Sequence, residues 1–128
     1  MEFSKLSKVS FPEMRESVIS AVSALTDEKY QKEVWVDQNY PEEGYFDDFE
    51  LNIHILFDDT LVLEDPASAL GTILRSTEEV NAMEKLASAI NDLLASEGSD
   101  KTDIQYITSP LWGAVVRSAS IALGILNQ

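Results

Sequence analysis

The chain contains no cysteine, a single histidine and only nine Lys+Arg against 23 Asp+Glu. Without cysteine, thiol catalysis, a disulfide framework and Cys-ligated zinc are excluded, and the composition fits a reducing compartment. The shortage of cations leaves a net charge of -14, which excludes a basic face for neutralising phosphates. Nucleic acid is therefore not an expected partner, and anionic membranes are disfavoured for the same reason. No run approaches eighteen consecutive apolar residues, and Met1 to Ser10 has no apolar core with a small-residue cleavage site. The expected address is cytoplasmic. A Gly-rich phosphate loop and a Gly-x-Ser-x-Gly elbow are both missing. One histidine cannot make His-Glu-x-x-His or a pair of Glu-x-x-His motifs, and Asp58-Asp59-Thr60 lacks the alternation and central Gly of an EF-hand loop.

What is present is enough for one domain spanning 1–128. Hydrophobic residues make up 45% of the chain, and a domain of this size buries roughly two thirds of its unfolded surface. Apolar positions recur mainly at helical spacing. Ser10 and Glu13 have capping-box spacing, with Pro12 in the first turn. Phe11, Met14, Val18, Val22 and Leu25 share a face that should end near Thr26. A second segment starts at Thr26 or Asp27, pairs Tyr30 with Val34, and must stop before Asn39-Tyr40-Pro41. Farther on, Asp65 and Pro66 open a short helix burying Ala69, Leu70, Ile73 and Leu74. Ser76 and Glu79 open a long one through Val80, Met83, Leu86, Ala87, Ile90, Leu93 and Leu94, with Gly98 past its end. Residues 96–103 form an exposed loop. Ser109 and Pro110 introduce a last helix with Trp112 in its first turn and Leu111, Val115, Ala119, Ala122, Leu123 and Leu126 facing inward. Small residues at Ala114, Ser118 and Ala119 permit close helix approach.

Residues 47–59 admit two readings. Phe49, Leu51, Ile53, Ile55 and Phe57 alternate as in a strand. Asp47 and Glu50 nevertheless have capping spacing, and Phe46, Phe49, Ile53, Leu56 and Phe57 share a helical face. The helical reading is favoured and predicts a compact all-α bundle of about five to six helices. The alternative is an α+β domain with a small hairpin at 49–63.

Charge is segregated along the chain. From Glu33 to Leu74 there are eleven carboxylates and no Lys or Arg, a concentration that self-repulsion penalises unless solvent, counter-ions or a basic partner offset it. Trp35, Tyr40, Tyr45, Phe46 and Phe49 lie in the same stretch. Aromatics among carboxylates suit the docking of a cationic protein, because charge steers encounter while aromatic rings bury area at low entropy cost. The expected partner contacts are Asp37, Tyr40, Glu42, Glu43, Tyr45, Asp47, Asp48, Asp58 and Asp59. Asn in place of Asp47 and Asp48 should slow association, unless both are caps, when stability falls instead. The helical aromatics are expected in the core, and His54 is expected to be half-buried and hydrogen-bonded, one turn from Asp58. No cofactor, metal or catalytic residue is assigned. A small enzyme built on His54 with carboxylates, or a homo-oligomer sealed through the last helix, are the alternatives.

Tyr30-Gln31-x-x-Val34-Trp35-Val36, Tyr40-Pro41-x-x-Gly44-Tyr45-Phe46-Asp47-Asp48, His54-x-Leu56-Phe57-Asp58-Asp59, Asp65-Pro66, Ala69-Leu70-Gly71 and Ser109-Pro110-Leu111-Trp112 together carry a resemblance from about Pro12 onward. The chain resembles a family of small acidic bacterial proteins. Through it, the chain resembles the immunity proteins encoded beside polymorphic or contact-dependent toxins. The resemblance carries over no activity and no catalytic residues. It implies a cytoplasmic inhibitor that covers the active-site groove of a basic toxin, commonly a nuclease, with carboxylates in place of phosphates.

Overall fold

A computed structural model describes residues 8–128, so most of the leader reading for Met1 to Ser10 lies outside the described residues. Within them there are six α-helices and no strand beyond one isolated bridge between Leu70 and Leu74. They are α1 (Pro12–Thr26), α2 (Glu28–Tyr30), α3 (Phe49–Ile53), α4 (Thr77–Glu97), α5 (Asp103–Ile107) and α6 (Trp112–Leu126). Two of them widen into π-helical turns, α2 into Gln31–Val36 and α3 into His54–Asp59, and a 3-10 turn covers Pro66–Ala69. The all-α expectation holds, and no hairpin forms at 49–63. The Asp48 carboxylate accepts the Leu51 N–H at 2.7 Å and starts a helix there. Leu63 returns its N–H to the Leu56 carbonyl at 2.9 Å instead of pairing along a ladder.

The core is built on α6, which packs against both α4 and α1. Its inward side is small where the helices meet: Val115, Ala119 and Ala122 are fully buried, so neighbouring backbones approach closely. α4 contributes Met83, Leu86, Ile90 and Leu93, all fully buried, each worth about 1.5–3 kcal/mol relative to exposure. Gly98 ends α4 at φ 95°, a left-handed conformation that glycine adopts without a Cβ clash. Its carbonyl receives the Tyr106 hydroxyl at 2.8 Å.

Four expectations are corrected. Ser10 does not cap α1; its N–H and that of Phe11 bond the carbonyls of Gly71 and Thr72 at 3.0 and 2.8 Å, and Phe11 takes the capping position without a side-chain bond. Phe11 and Met14 are therefore exposed, while Arg15 enters the core in their place. The helix at Pro66 ends at Ala69, leaving Leu70 exposed and delivering Ile73 and Leu74 to the core from a loop. α6 begins at Trp112, with no side-chain cap at its start, because the Ser109 hydroxyl accepts the Leu111 N–H and donates to Glu97 at 2.9 Å.

The buried charges answer one another across the bundle. Arg15 donates to both Glu79 oxygens at 2.8 and 2.9 Å and to the carbonyls of Ile73 and Leu126. Glu79 also accepts the Arg75 N–H at 2.7 Å, which is why it does not complete the box with Ser76. Burial raises its carboxyl pKa, but the Arg15 hydrogen bonds, the Arg75 N–H and both guanidinium charges outweigh burial and hold it below the ordinary range.

Candidate functional site

The acidic segment wraps an aromatic interior. Trp35 lies edge-on to Phe49 and Trp112, with centroids 6.3 and 6.2 Å apart, and Phe49 packs on Tyr106 at 4.5 Å. The Trp112 indole N–H reaches Gln31, a fully buried amide that donates in turn to the Ala24 carbonyl. Tertiary packing thus consumes Trp35 and Phe49, as helical spacing predicts for Phe49. Phe46 is the exception at 56% exposed.

Asp47 is 8% exposed and faces inward. Its carboxylate accepts the Tyr30 hydroxyl at 2.7 Å, the Trp35 indole N–H at 2.8 Å and the Asn52 amide at 2.8 Å. The Tyr45 hydroxyl lies 2.6 Å from that of Tyr30. Because Tyr30 has one proton and gives it to Asp47, Tyr45 is the donor in this pair. Burial pushes the Tyr30 phenol pKa strongly upward, with the bonds to Tyr45 and Asp47 and the Asp47 charge adding to it. Asp47, expected as a partner contact, thus serves as an internal anchor for Tyr30, Trp35 and Asn52.

The other expected contacts divide into groups. Asp48 is half-buried and caps α3. Asp37 is paired with Lys32, whose ammonium lies 2.8 and 2.9 Å from its two oxygens. Tyr40 and Tyr45 are half-buried, with Tyr40 6.2 Å from Tyr45 and 6.0 Å from Phe46. Glu42 and Glu43 are exposed and make no ion pair among the described residues. Asp58 and Asp59 are exposed at the far end of the helical segment begun by α3, roughly 15 Å along its axis from the Asp48 cap. The loop at 40–48 thus gathers Tyr40, Glu42, Glu43, Tyr45 and Asp48, while Asp58 and Asp59 stand apart.

Asp103 is a member the sequence reading missed. It lies in the first turn of α5, accepts the Phe49 N–H at 3.3 Å and lines a 280 Å³ recess with Tyr40, Phe46 and Asp48. Its pKa is raised, by burial first and then by the charges of Asp48, Asp47 and Glu50, against the lowering bond from Phe49. Only a fold that brings residue 103 beside residue 49 reveals it.

His54 is exposed, correcting the half-buried expectation. Its Nδ1 lies 2.5 Å from Asp58 and its Nε2 3.5 Å from Glu50. Among the described residues no three His, Asp or Glu side chains are grouped to hold a metal ion. The Asp58 hydrogen bond, then that from Glu50, raises the His54 pKa above 6.5. A group raised on folding adds stability that is complete below its unfolded value and is lost as pH rises through the folded one. The His54 ring protons should titrate above 6.5 by NMR and move down in Asp58→Asn; an unchanged midpoint in that variant would remove Asp58 as the cause.

No curated protein and no solved structure matches the chain. A family model described as a domain of unknown function, DUF7945, matches residues 9–128, and the chain belongs to that family.

Proposed function

We propose that the protein is a non-catalytic acidic docking protein of the immunity type, which neutralises a basic, nuclease-type toxin domain by covering its active site. The observation that carries this reading is the loop at 40–48. There an exposed aromatic, Phe46, shares the loop with two exposed carboxylates, Glu42 and Glu43, that no ion pair among the described residues offsets. Between Glu33 and Leu74, Lys and Arg reach the carboxylates of the described structure at two places, Lys29 with Glu33 at 3.9 Å and Lys32 with Asp37. The exposed, unpaired part of the remaining charge, Glu42 and Glu43 first, steers a cationic partner, and Phe46 with Tyr40 supplies apolar area to bury once contact is made. Glu42, Glu43, Tyr40 and Phe46 form the centre of this contact set, with Asp48 at its border.

The test is association with a basic nuclease-type toxin domain. A stoichiometric complex should abolish the toxin's activity, and its association rate should fall steeply with rising salt. Glu42→Gln with Glu43→Gln should slow association several-fold at low salt without changing the melting temperature. A complex whose association ignores salt, or no complex at low ionic strength, would overturn the proposal.

A further inference from the structure

A groove of about 640 Å³ runs between α1 and the segment 45–55, and its lining includes Ser20, Tyr30, Tyr45, Phe46 and Asp47. Two further carboxylates, Glu16 and Asp27, line it, and among the described residues no Lys or Arg does. Its walls therefore combine aromatic rings with negative charge, the combination that attracts an organic cation.

A second observation gives the groove a direction. The hydrogen bonds run from Tyr45 to Tyr30 to Asp47, so every proton in the relay points toward the carboxylate. Asp47 is bound by three neutral donors, and among the described residues no ammonium or guanidinium bonds to it. The Tyr45 oxygen gives its proton to Tyr30 and accepts none among the described residues, which leaves lone pairs on a wall polarised by the carboxylate behind it. A wall of this polarity accepts hydrogen bonds from a cation and repels an anion. A guanidinium suits it better than an ammonium, because it is planar, sheds water more readily and stacks on the faces of Tyr and Phe while donating at its edge.

We infer that this groove receives an arginine side chain of the basic partner, with the guanidinium against Tyr45 and Phe46 and its charge facing the relay that ends at Asp47. The inference rests on the docking reading and deepens it, since Phe46 borders both the groove and the exposed loop.

The experiment titrates the ¹⁵N-labelled protein with N-acetyl-arginine amide and, in parallel, with N-acetyl-citrulline amide, its uncharged isostere. The arginine probe should shift resonances of Tyr30, Tyr45, Phe46 and Leu51 saturably, with a dissociation constant on the order of 1 mM for so small a ligand, and the citrulline probe should not. Ser20→Trp, at an exposed position of α1 on the groove wall, should weaken the arginine probe at least tenfold. Phe46→Ala, at a side chain the core does not use, should weaken it several-fold with the melting temperature unchanged. Equal binding of both probes, absence of saturable shifts, or retention in both variants would overturn the inference. The toxin-domain complex separates the two proposals. If it forms equally with Ser20→Trp, the groove assignment fails and docking stands; if the arginine probe binds and no complex forms, the groove stands and the docking reading fails.

Discussion

Replacing Glu79 with alanine is expected to destabilise the fold by about 3–5 kcal/mol, the usual cost of leaving one member of a buried ion pair without its partner. Glu79 is 1% exposed and receives Arg15 through two bonds and the Arg75 N–H through a third. Its loss strands a guanidinium inside the junction of α1, α4 and α6. Substituting both partners, Arg15→Met with Glu79→Leu, should recover part of that loss but not all of it, because Arg15 also satisfies the carbonyls of Ile73 and Leu126. The same pair sets the acid limit. Glu79 titrates below its usual 4.5 in the fold, so its contribution is complete above the unfolded value and disappears as pH falls through the folded one. Urea denaturation at pH 7 and at successively lower pH checks both statements. A Glu79→Ala loss under 1 kcal/mol would show that the junction is held by packing alone.

Asp47→Ala carries the second large effect, about 2–5 kcal/mol, because it orphans the Trp35 indole N–H and one N–H of the Asn52 amide and leaves Tyr30 only Tyr45 to turn to. Asp47→Asn should cost about half as much: its oxygen can serve Tyr30 and Trp35, but its own NH₂ then meets that of Asn52. Asn52 cannot simply flip, since it also donates to the Asp48 carbonyl at 2.8 Å. Asp48→Asn should change stability little, as Asn caps helices about as well as Asp, whereas Asp48→Ala costs about 1 kcal/mol. The adjacent acids therefore part company: one is read out in the melting temperature, the other in the salt dependence of association. Thermal unfolding followed by tryptophan fluorescence distinguishes them, and an unaltered transition in Asp47→Ala would refute the internal role.

Local chemistry carries most of the fold. Pro12, Asp27, Asp65, Ser76 and Gly98 mark element ends in the sequence as they do in space, because caps and breakers act within one turn. The interior of α4 is readable from period alone. Readability fails where the helix itself departs from 3.6 residues per turn. Across Gln31–Val36 and His54–Asp59 the N–H groups of Asp37 and Thr60 return to the fifth residue back, Lys32 and Ile55. Period-based reading there puts Phe57 with Leu56 in the core, whereas Leu56 is fully buried and Phe57 half-buried; Phe46 is exposed for another reason, since it precedes the Asp48 cap and lies in the loop rather than on the helix. The loop carboxylates were legible as a charge count but not in orientation. Nothing in Phe46-Asp47-Asp48 says which acid turns inward; that is decided by Trp35 and Tyr30, more than ten residues away and offering unpaired donors. The burial of Arg15 was likewise hidden, since its partner lies 64 residues farther on.

Those two wide turns have a consequence for sequences of different length. Each accommodates one surplus residue relative to a regular helix. A sibling chain shorter by a single residue at either place would remain helical there but would swing every following side chain of that segment by about 100°. Such a deletion ahead of Trp35 would aim a different residue at the aromatic interior, and one after His54 would replace Leu56 as the core contact. Gaps in related chains should therefore avoid both stretches, even though the first ends in an exposed loop at 37–39 that would otherwise tolerate them.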